Sequence, residues 1–427
     1  MRTFWYLVYN LVGVPVQYLG FRLIGLFNAK VRKGIHGRKR SSDTLQQFNA
    51  GRDKAQKCYI VHCASLGEYE MARPVIEGIK ASEPDTDVVL TFFSPSGYDQ
   101  VYDSSPADLV TYLPFDSVRR VTKFFTLLNP EKLILTSYEI WPNLIWTAKK
   151  YDVEVHLTSA RLSEESKKTG PVFRSFFRTV YNDIQYIYPI TAQDEQNFKS
   201  YFRLSESVEI HTLGNTRYDR VLERAVQAGE QPFLPENFRH QPTLIAGSIW
   251  PADNKVILPA LESVKHAFPD LKLVLAPHEL SRDHLRELQK WCDGRGLGCS
   301  YLNNGSADGN EVLIVDKIGV LAEIYHDGDI AFIGGAFSGS VHNVMEPAVA
   351  KCAVLFGPEY HNSDEAEQLI KSGGGFSLTG ETEMEETLYR LLSDPDTLHS
   401  AQNAAYNIIT SNAGATGKTV RHILKSS

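Results

Sequence analysis

The chain has 427 residues, 43% of them hydrophobic and 22% charged, with a formal net charge of −7. That composition fits a globular protein of about two domains and offers no bulk attraction for nucleic acid. Five cysteines, an odd number without a C-x-x-C pair, speak against a disulfide framework or a zinc site and fit a reducing compartment.

The N-terminus is distinctive. Residues 3–21, TFWYLVYNLVGVPVQYLGF, are uncharged, and KVRKGIHGRKR then places six Lys/Arg between Lys30 and Arg40. A run near 20 residues is about what crosses a bilayer, and flanking basic residues favour the cytoplasmic side. In a signal peptide the charge precedes the apolar core, the reverse of the order here. Pro15, Gln17 and Arg22 interrupt the run, so a helix lying in the interface is the alternative to a span, and a buried helix is the remaining one. The expectation is a membrane anchor with its basic flank over residues 1–40, and a body on the cytoplasmic side.

A polar linker, SSDTLQQFNAGRDKAQK, follows. Short apolar runs then alternate with amphipathic stretches: CYIVHCA, a helix from about Glu68 to Ala81, DVVLTFF, LVTYLPF, KLILTS, VEVHLTSA. A second series runs through PTLIAGS, LKLVLAP, EVLIVD, DIAFIGGAF and CAVLFGP. That alternation predicts parallel sheets with crossover helices. The expected architecture is α/β: two doubly wound Rossmann-like domains facing across a cleft, over residues 41–222 and 243–427, joined by a polar, proline-containing linker at 223–242. In such sheets ligands sit beyond the carboxyl ends of the strands.

Several strand-to-helix loops could carry chemistry. Ser65-Leu66-Gly67-Glu68 has the spacing of a capping box, in which the glutamate stabilises a helix start. The four residues on either side of Glu68 contain no Lys or Arg, and His62 and Arg73 lie just beyond. Glu139 follows KLILTS and precedes Trp141-Pro142, and Arg161 ends the next strand. A Glu139–Arg161 ion pair would explain both, but two carboxylates and an arginine at successive strand ends also converge on one site. In the second half, Gly247-Ser248 and the GGAFSGSVHNVMEP stretch present glycine turns feeding helices, a pattern that suits phosphate as well as ordinary turn geometry. There Gly334, Gly335 and Gly339 with Asn343 would take phosphate and Glu346 ribose hydroxyls. The D-x-D strings and histidines are scattered without ligand spacing, so no metal site is expected.

The segments HCASLGEYEMARPVI, YEIWPNLI, SARLS, LGNTRYD and GSVHNVMEPAVAKCAVLFGP resemble, in order, those of bacterial 3-deoxy-D-manno-octulosonic acid (Kdo) transferases of lipopolysaccharide synthesis. The resemblance covers nearly the whole chain. It implies a GT-B glycosyltransferase, metal-independent, inverting and without a cofactor, with CMP-Kdo as donor and a lipid A precursor in the inner membrane as acceptor. Glu68 would then be the general base, with Ser65, Gly67, Glu139 and Arg161 around the acceptor. The donor site would draw on Gly247, Ser248, Asn343, Val344, Met345 and Glu346. Two of its motifs depart from the family: Pro277-His278-Glu279 lacks the usual arginine, and Ile318-Gly319-Val320 lacks the acidic member. Arg217 replaces a lysine and keeps its charge. The competing readings are a GT-B transferase using a UDP-sugar and a non-catalytic membrane-anchored sugar- or nucleotide-binding protein.

Overall fold

The computed structural model describes residues 2–304 and 310–425. The chain divides into two compact units, one running from the N-terminus to Arg220 and taking back the residues from Ala413 onward, the other Val221–Asn412.

The first unit holds a seven-stranded parallel sheet of β1 (Cys58–Cys63), β2 (Asp87–Phe92), β3 (Leu109–Tyr112), β4 (Lys132–Thr136), β5 (Glu154–Ala160), β6 (Tyr186–Pro189) and β7 (Glu209–Ile210), in the order β3-β2-β1-β4-β5-β6-β7. β1 to β4 are buried along their whole length, as parallel strands covered by helices on both faces must be. One apolar layer gathers Ile60, Leu133 and Leu135 with Phe124, Phe125 and Trp146; the other gathers Tyr59, Val61 and Ile134 with Val75, Ile76 and Ile79. The strand order reverses between β1 and β4, the position at which doubly wound sheets bind their ligands.

The second unit repeats the plan with β8 (Thr243–Ile249), β9 (Lys272–Pro277), β10 (Cys299–Tyr301), β11 (Val312–Ile314), β12 (Ile330–Ile333), β13 (Ala353–Phe356) and β14 (Gly375–Ser377), in the order β10-β11-β9-β8-β12-β13-β14. Here the reversal lies between β8 and β12.

Three boundaries differ from the sequence expectation. The stretch after Arg40 is no linker: the helix Ala29–Gly51 runs through it, with Leu45 in the core and the Ser41 hydroxyl donating to the Gly37 carbonyl. The polar stretch at 223–242 is largely helical, in Arg217–Ala228 and Glu236–Arg239. Finally, the helix Ala415–Lys425 belongs to the first unit, not to a domain closing at 427. Asp219 accepts at 2.5 Å from the Gly414 amide and at 2.7 Å from that of Thr416, fixing the helix start. Val420 packs so closely on Gly78 that a Cβ there would lie 2.7 Å from it.

The N-terminal apolar stretch is helical over Arg2–Phe27, with a π-helical turn at Tyr9–Gly13. It is long and apolar enough to cross a membrane. One side nonetheless docks on the first unit: the Trp5 indole donates to Ser175 at 3.0 Å and the Tyr9 hydroxyl to Asp116 at 2.8 Å. The other side leaves Leu11, Val16, Leu19, Leu23 and Phe27 exposed.

Candidate active site

Glu68 stands at the third position of the helix Leu66–Ser82, which begins where β1 ends. Ser65 caps that helix: its hydroxyl accepts from the Glu68 amide at 3.4 Å, and Glu68 Oε2 accepts from the amides of Ser65, at 3.1 Å, and Ala64. The capping box is therefore real. It uses one carboxylate oxygen only, because Oε1 has no hydrogen-bond partner among the described residues. Gly67 has open space where a side chain would stand, with only the Ser65 hydroxyl nearby at 4.0 Å.

Across the reversal point, β4 hands over to the helix Pro142–Lys150 through Ser137-Tyr138-Glu139-Ile140-Trp141. Ser137 turns the chain with φ 59°, a left-handed conformation that side-chain-bearing residues rarely adopt. Proline at the first helical position fits, since that N–H needs no partner. The Trp141 indole N–H lies 2.7 Å from Glu139 Oε2 and 3.0 Å from His62 Nε2. His62, fully buried on β1, sets Nδ1 on the Thr91 carbonyl at 3.1 Å and Nε2 3.4 Å from Glu139. Asn143 and Leu144 start their helix by donating amides to the buried Asp116 carboxylate at 3.0 and 2.9 Å.

The two glutamates are driven apart in acidity. Burial and then the Glu139 charge push Glu68 up to about 7, against the Ala64 and Ser65 amides and Lys168. Burial raises Glu139 too, but the His62 and Trp141 contacts and Lys168 outweigh it and leave it below the ordinary value. Carboxylates separated in this way are how one site holds an acid and a base at neutral pH. The residues beside Glu68 in sequence include no Lys or Arg, but a distant cation acts on it in the fold. Lys168, in the loop after β5, acts on both glutamates; its Nζ donates to the Tyr138 carbonyl at 2.7 Å, and burial lowers it to about 8. No sequence signal marks it, because it lies 100 residues from Glu68 along the chain. Arg161, half-buried, follows Ala160 at the end of β5.

In the second unit the strand ends of β8, β9 and β12 carry a stack of three rings. His278 and His342 lie 4.2 Å apart at 10°, and Trp250 lies 4.6 Å from His278. The Trp250 indole donates to His342 Nε2 at 2.9 Å, and burial followed by the His278 charge lowers His342 to about 4. The stack has one exposed member, His278. Ser248, two residues before Trp250, lies on β8 with φ 55°.

Several expected donor residues also have structural duties. A Cβ on Gly247 would meet the Tyr325 hydroxyl at 1.9 Å, and one on Gly334 would meet the Ser248 carbonyl at 2.3 Å. These glycines serve close packing, so their pattern does not by itself point to phosphate. Val344 and Met345 are core residues, each 1% exposed. Asn343 accepts from the Met345 amide at 3.1 Å, and Glu346 pairs with Arg224 at 2.9 Å. Pro277 ends β9 and is buried; Ile318 is exposed, Gly319 turns with φ 86°, and Val320 is buried. Among the described residues no three His, Cys, Asp or Glu side chains gather as a metal site would require.

Two doubly wound parallel-sheet units, each with one reversal of strand order, give the chain a GT-B-type fold. Residues 39–220 match the family described as 3-Deoxy-D-manno-octulosonic-acid transferase (kdotransferase). The chain is 29% identical over 339 residues to a 3-deoxy-D-manno-octulosonic acid transferase of Aquifex aeolicus, covering 78% of this chain and 85% of that one. Against the same-named protein of Haemophilus influenzae it is 26% identical over 362 residues, 83% of this chain and 84% of that one. Residues 39–220 thus carry the Kdo-transferase domain, and most of the chain is similar to Kdo transferases. Its fold is also that of a UDP-GlcNAc 2-epimerase from Neisseria meningitidis, at TM-score 0.62 and 15% identity over 87% of this chain and 100% of the other. A glycosyltransferase from Rickettsia africae aligns at TM-score 0.55 and 13% identity, again over 87% and 100%.

Proposed function

We propose that the protein moves Kdo from CMP-Kdo to a lipid A precursor, inverting the anomeric centre without a metal, at the cytoplasmic face of the inner membrane. The observation that carries this reading is the divided use of the Glu68 carboxylate. Oε2 is anchored by two amides and Oε1 has no partner among the described residues, in a group with its proton affinity raised to about 7. An acceptor hydroxyl is a poor nucleophile, and a positioned base near the working pH removes its proton as the new C–O bond forms. The proton passes to Oε1, the acceptor oxygen bonds to the anomeric carbon, and CMP leaves with the electron pair of the broken C–O bond. In this reading the first domain takes the acceptor beside Glu68, Glu139 and Arg161. The second takes the nucleotide near Ser248, His278 and Asn343, whose donor groups meet the charge developing on the phosphate.

The anchor reading becomes more specific as well. A helix tied to a globular domain through Trp5, Tyr9 and Asn10 cannot have those residues at mid-bilayer, so we place Arg2–Phe27 in the interface, its exposed leucines in the acyl region.

The test is incubation of purified protein with CMP-Kdo and a tetra-acylated, phosphorylated glucosamine disaccharide, with the product weighed by mass spectrometry. Glu68→Gln should keep the fold and lose transfer. Wild-type rates in that variant would remove Glu68 from the role of base.

A further inference from the structure

A cavity of about 370 Å³, within the range of small-molecule sites, lies outside both strand-end clusters. Its floor is apolar: Ile35 and Leu45 from the helix Ala29–Gly51, Phe124 and Leu127 from the helix Val118–Leu128. Its rim is cationic. Arg22 comes from the anchor helix, Lys39 from the next helix, and Arg120 and Lys123 from the helix beyond β3, with Arg38 deeper in the wall. No Asp or Glu lines it.

Among the described residues none of these five cations has an ion-pair partner, in a chain whose net charge is −7. Aromatic rings hold three of them in place without neutralising them. Arg38 lies 4.3 Å over Phe93, Arg22 5.0 Å over Tyr18, and Arg120 5.3 Å over the same Tyr18 ring. The N–H groups of Arg38 are bound to the carbonyls of Phe93, Leu113 and Gly34, at 2.7, 3.0 and 3.1 Å. Like charges gathered around one opening repel, and an anion seated among them removes that cost.

We infer that this cavity binds an anionic glycerophospholipid, one acyl chain on the apolar floor and the phosphodiester between Arg22, Lys39, Arg120 and Lys123. A free anion would leave the floor in water. Tyr18 and Arg22, four residues apart on one helix face, line the cavity, while that same helix exposes Leu19, Leu23 and Phe27. The ligand is distinct from the glycosyl acceptor. Arg38 packs on Phe93, and Phe93 stacks on Trp141 at 4.7 Å, so the wall of the cavity is filled between it and Glu139. The inference needs no statement about which sugar is transferred.

Native mass spectrometry of the full chain, titrated in detergent with dioleoyl phosphatidylglycerol, dioleoyl phosphatidylcholine or glycerol 1-phosphate, tests it. Phosphatidylglycerol should bind one molecule per chain at least tenfold more tightly than phosphatidylcholine. The double variant Lys39→Ala/Lys123→Ala, at two exposed positions, should lose that preference while keeping its melting temperature. Equal binding of the two lipids, or an unchanged preference in the variant, would overturn the inference. Competition by glycerol 1-phosphate at the same concentration as the lipid would make it an anion site only. One-for-one displacement by the phosphorylated glycolipid acceptor would assign the cavity to the acceptor instead and equally end the proposal.

Discussion

The side-chain amides of Asn10 and Asn143 bond to each other reciprocally, at 2.9 and 3.0 Å, across 133 residues of chain. Asn143 also donates to the Asp116 main-chain carbonyl at 2.6 Å, and its own amide caps onto the Asp116 carboxylate that Tyr9 reaches. The N-terminal helix and the Glu139 loop thus hang on one polar network. Asn143→Ala should cost roughly 1–3 kcal/mol, since it leaves buried partners unsatisfied. Chemical denaturation measures this, and Asn10→Ala, which removes one end of the pair, should cost less.

The raised proton affinity of Glu68 sets a pH limb. As the proposed base it must be deprotonated, so the rate should climb as pH rises through about 7. Lys168 holds both glutamates down, so Lys168→Met should move the limb to higher pH. Glu139→Gln removes a repelling charge and should move it lower. A pH–rate profile of the three proteins checks both signs, and a limb that ignores both changes would mean that another group limits the rate. Glu68→Gln should lower transfer by about 10²–10⁴-fold.

Stability should move the opposite way. Glu68 binds its proton more tightly folded, near 7, than in the ordinary range near 4.5. Between those values the folded state holds more protons than the unfolded one, so stability falls as pH rises through this window. The contribution is full below about 4.5 and lost above about 7. Glu68→Gln imitates the protonated form and still accepts the Ala64 and Ser65 amides. It should therefore be more stable than the wild type at pH 8, by roughly 1–3 kcal/mol, and equal to it at pH 4.5. Urea denaturation at the two pH values decides.

Ligand and packing tests separate the roles in the second unit. CMP should raise the melting temperature and UDP should not, by mass action on the folded state. A rise with UDP alone would favour the UDP-sugar reading. His278→Ala, at the exposed end of the ring stack, should weaken CMP binding at unchanged stability. Gly247→Ala forces a methyl into the Tyr325 hydroxyl and should destabilise the unit by about 1–3 kcal/mol.

Much of the fold was legible because apolar strands of a parallel sheet are written as short unbroken runs: CYIVHC, DVVLTF, KLILT and TLIAGSI each became a buried strand. The capping box was legible in Ser65 and Glu68, since it is local. What escaped depends on contacts made across long stretches of chain. The amphipathic pattern of Ala415–Lys425 marks a helix but not the sheet it packs on; Asp219, nearly two hundred residues earlier, decides that. Lys168 sits in a polar loop whose fold brings it toward the glutamates, and His62 looks in sequence like any strand residue. The glycines near 247 and 334 were readable as necessary, and the structure shows one reason in their tight packing. A phosphate turn and a tight contact leave the same letter.

The two units place an acid at the same point, third in the helix after the first strand: Glu68 after β1 and Asp253 after β8. Asp253 Oδ2 accepts the Trp250 and Gly335 amides at 2.7 and 2.9 Å, and its other oxygen is sealed from solvent without a hydrogen-bond partner among the described residues. Both acids do the same architectural job. One methylene more of reach, and a less crowded loop, leave Glu68 an oxygen to spare. The same helix start thus leaves the first acid with the oxygen we propose for proton transfer and keeps the second as a strut, so exchanging the two side chains should cost the first its proposed reaction and the second its fit.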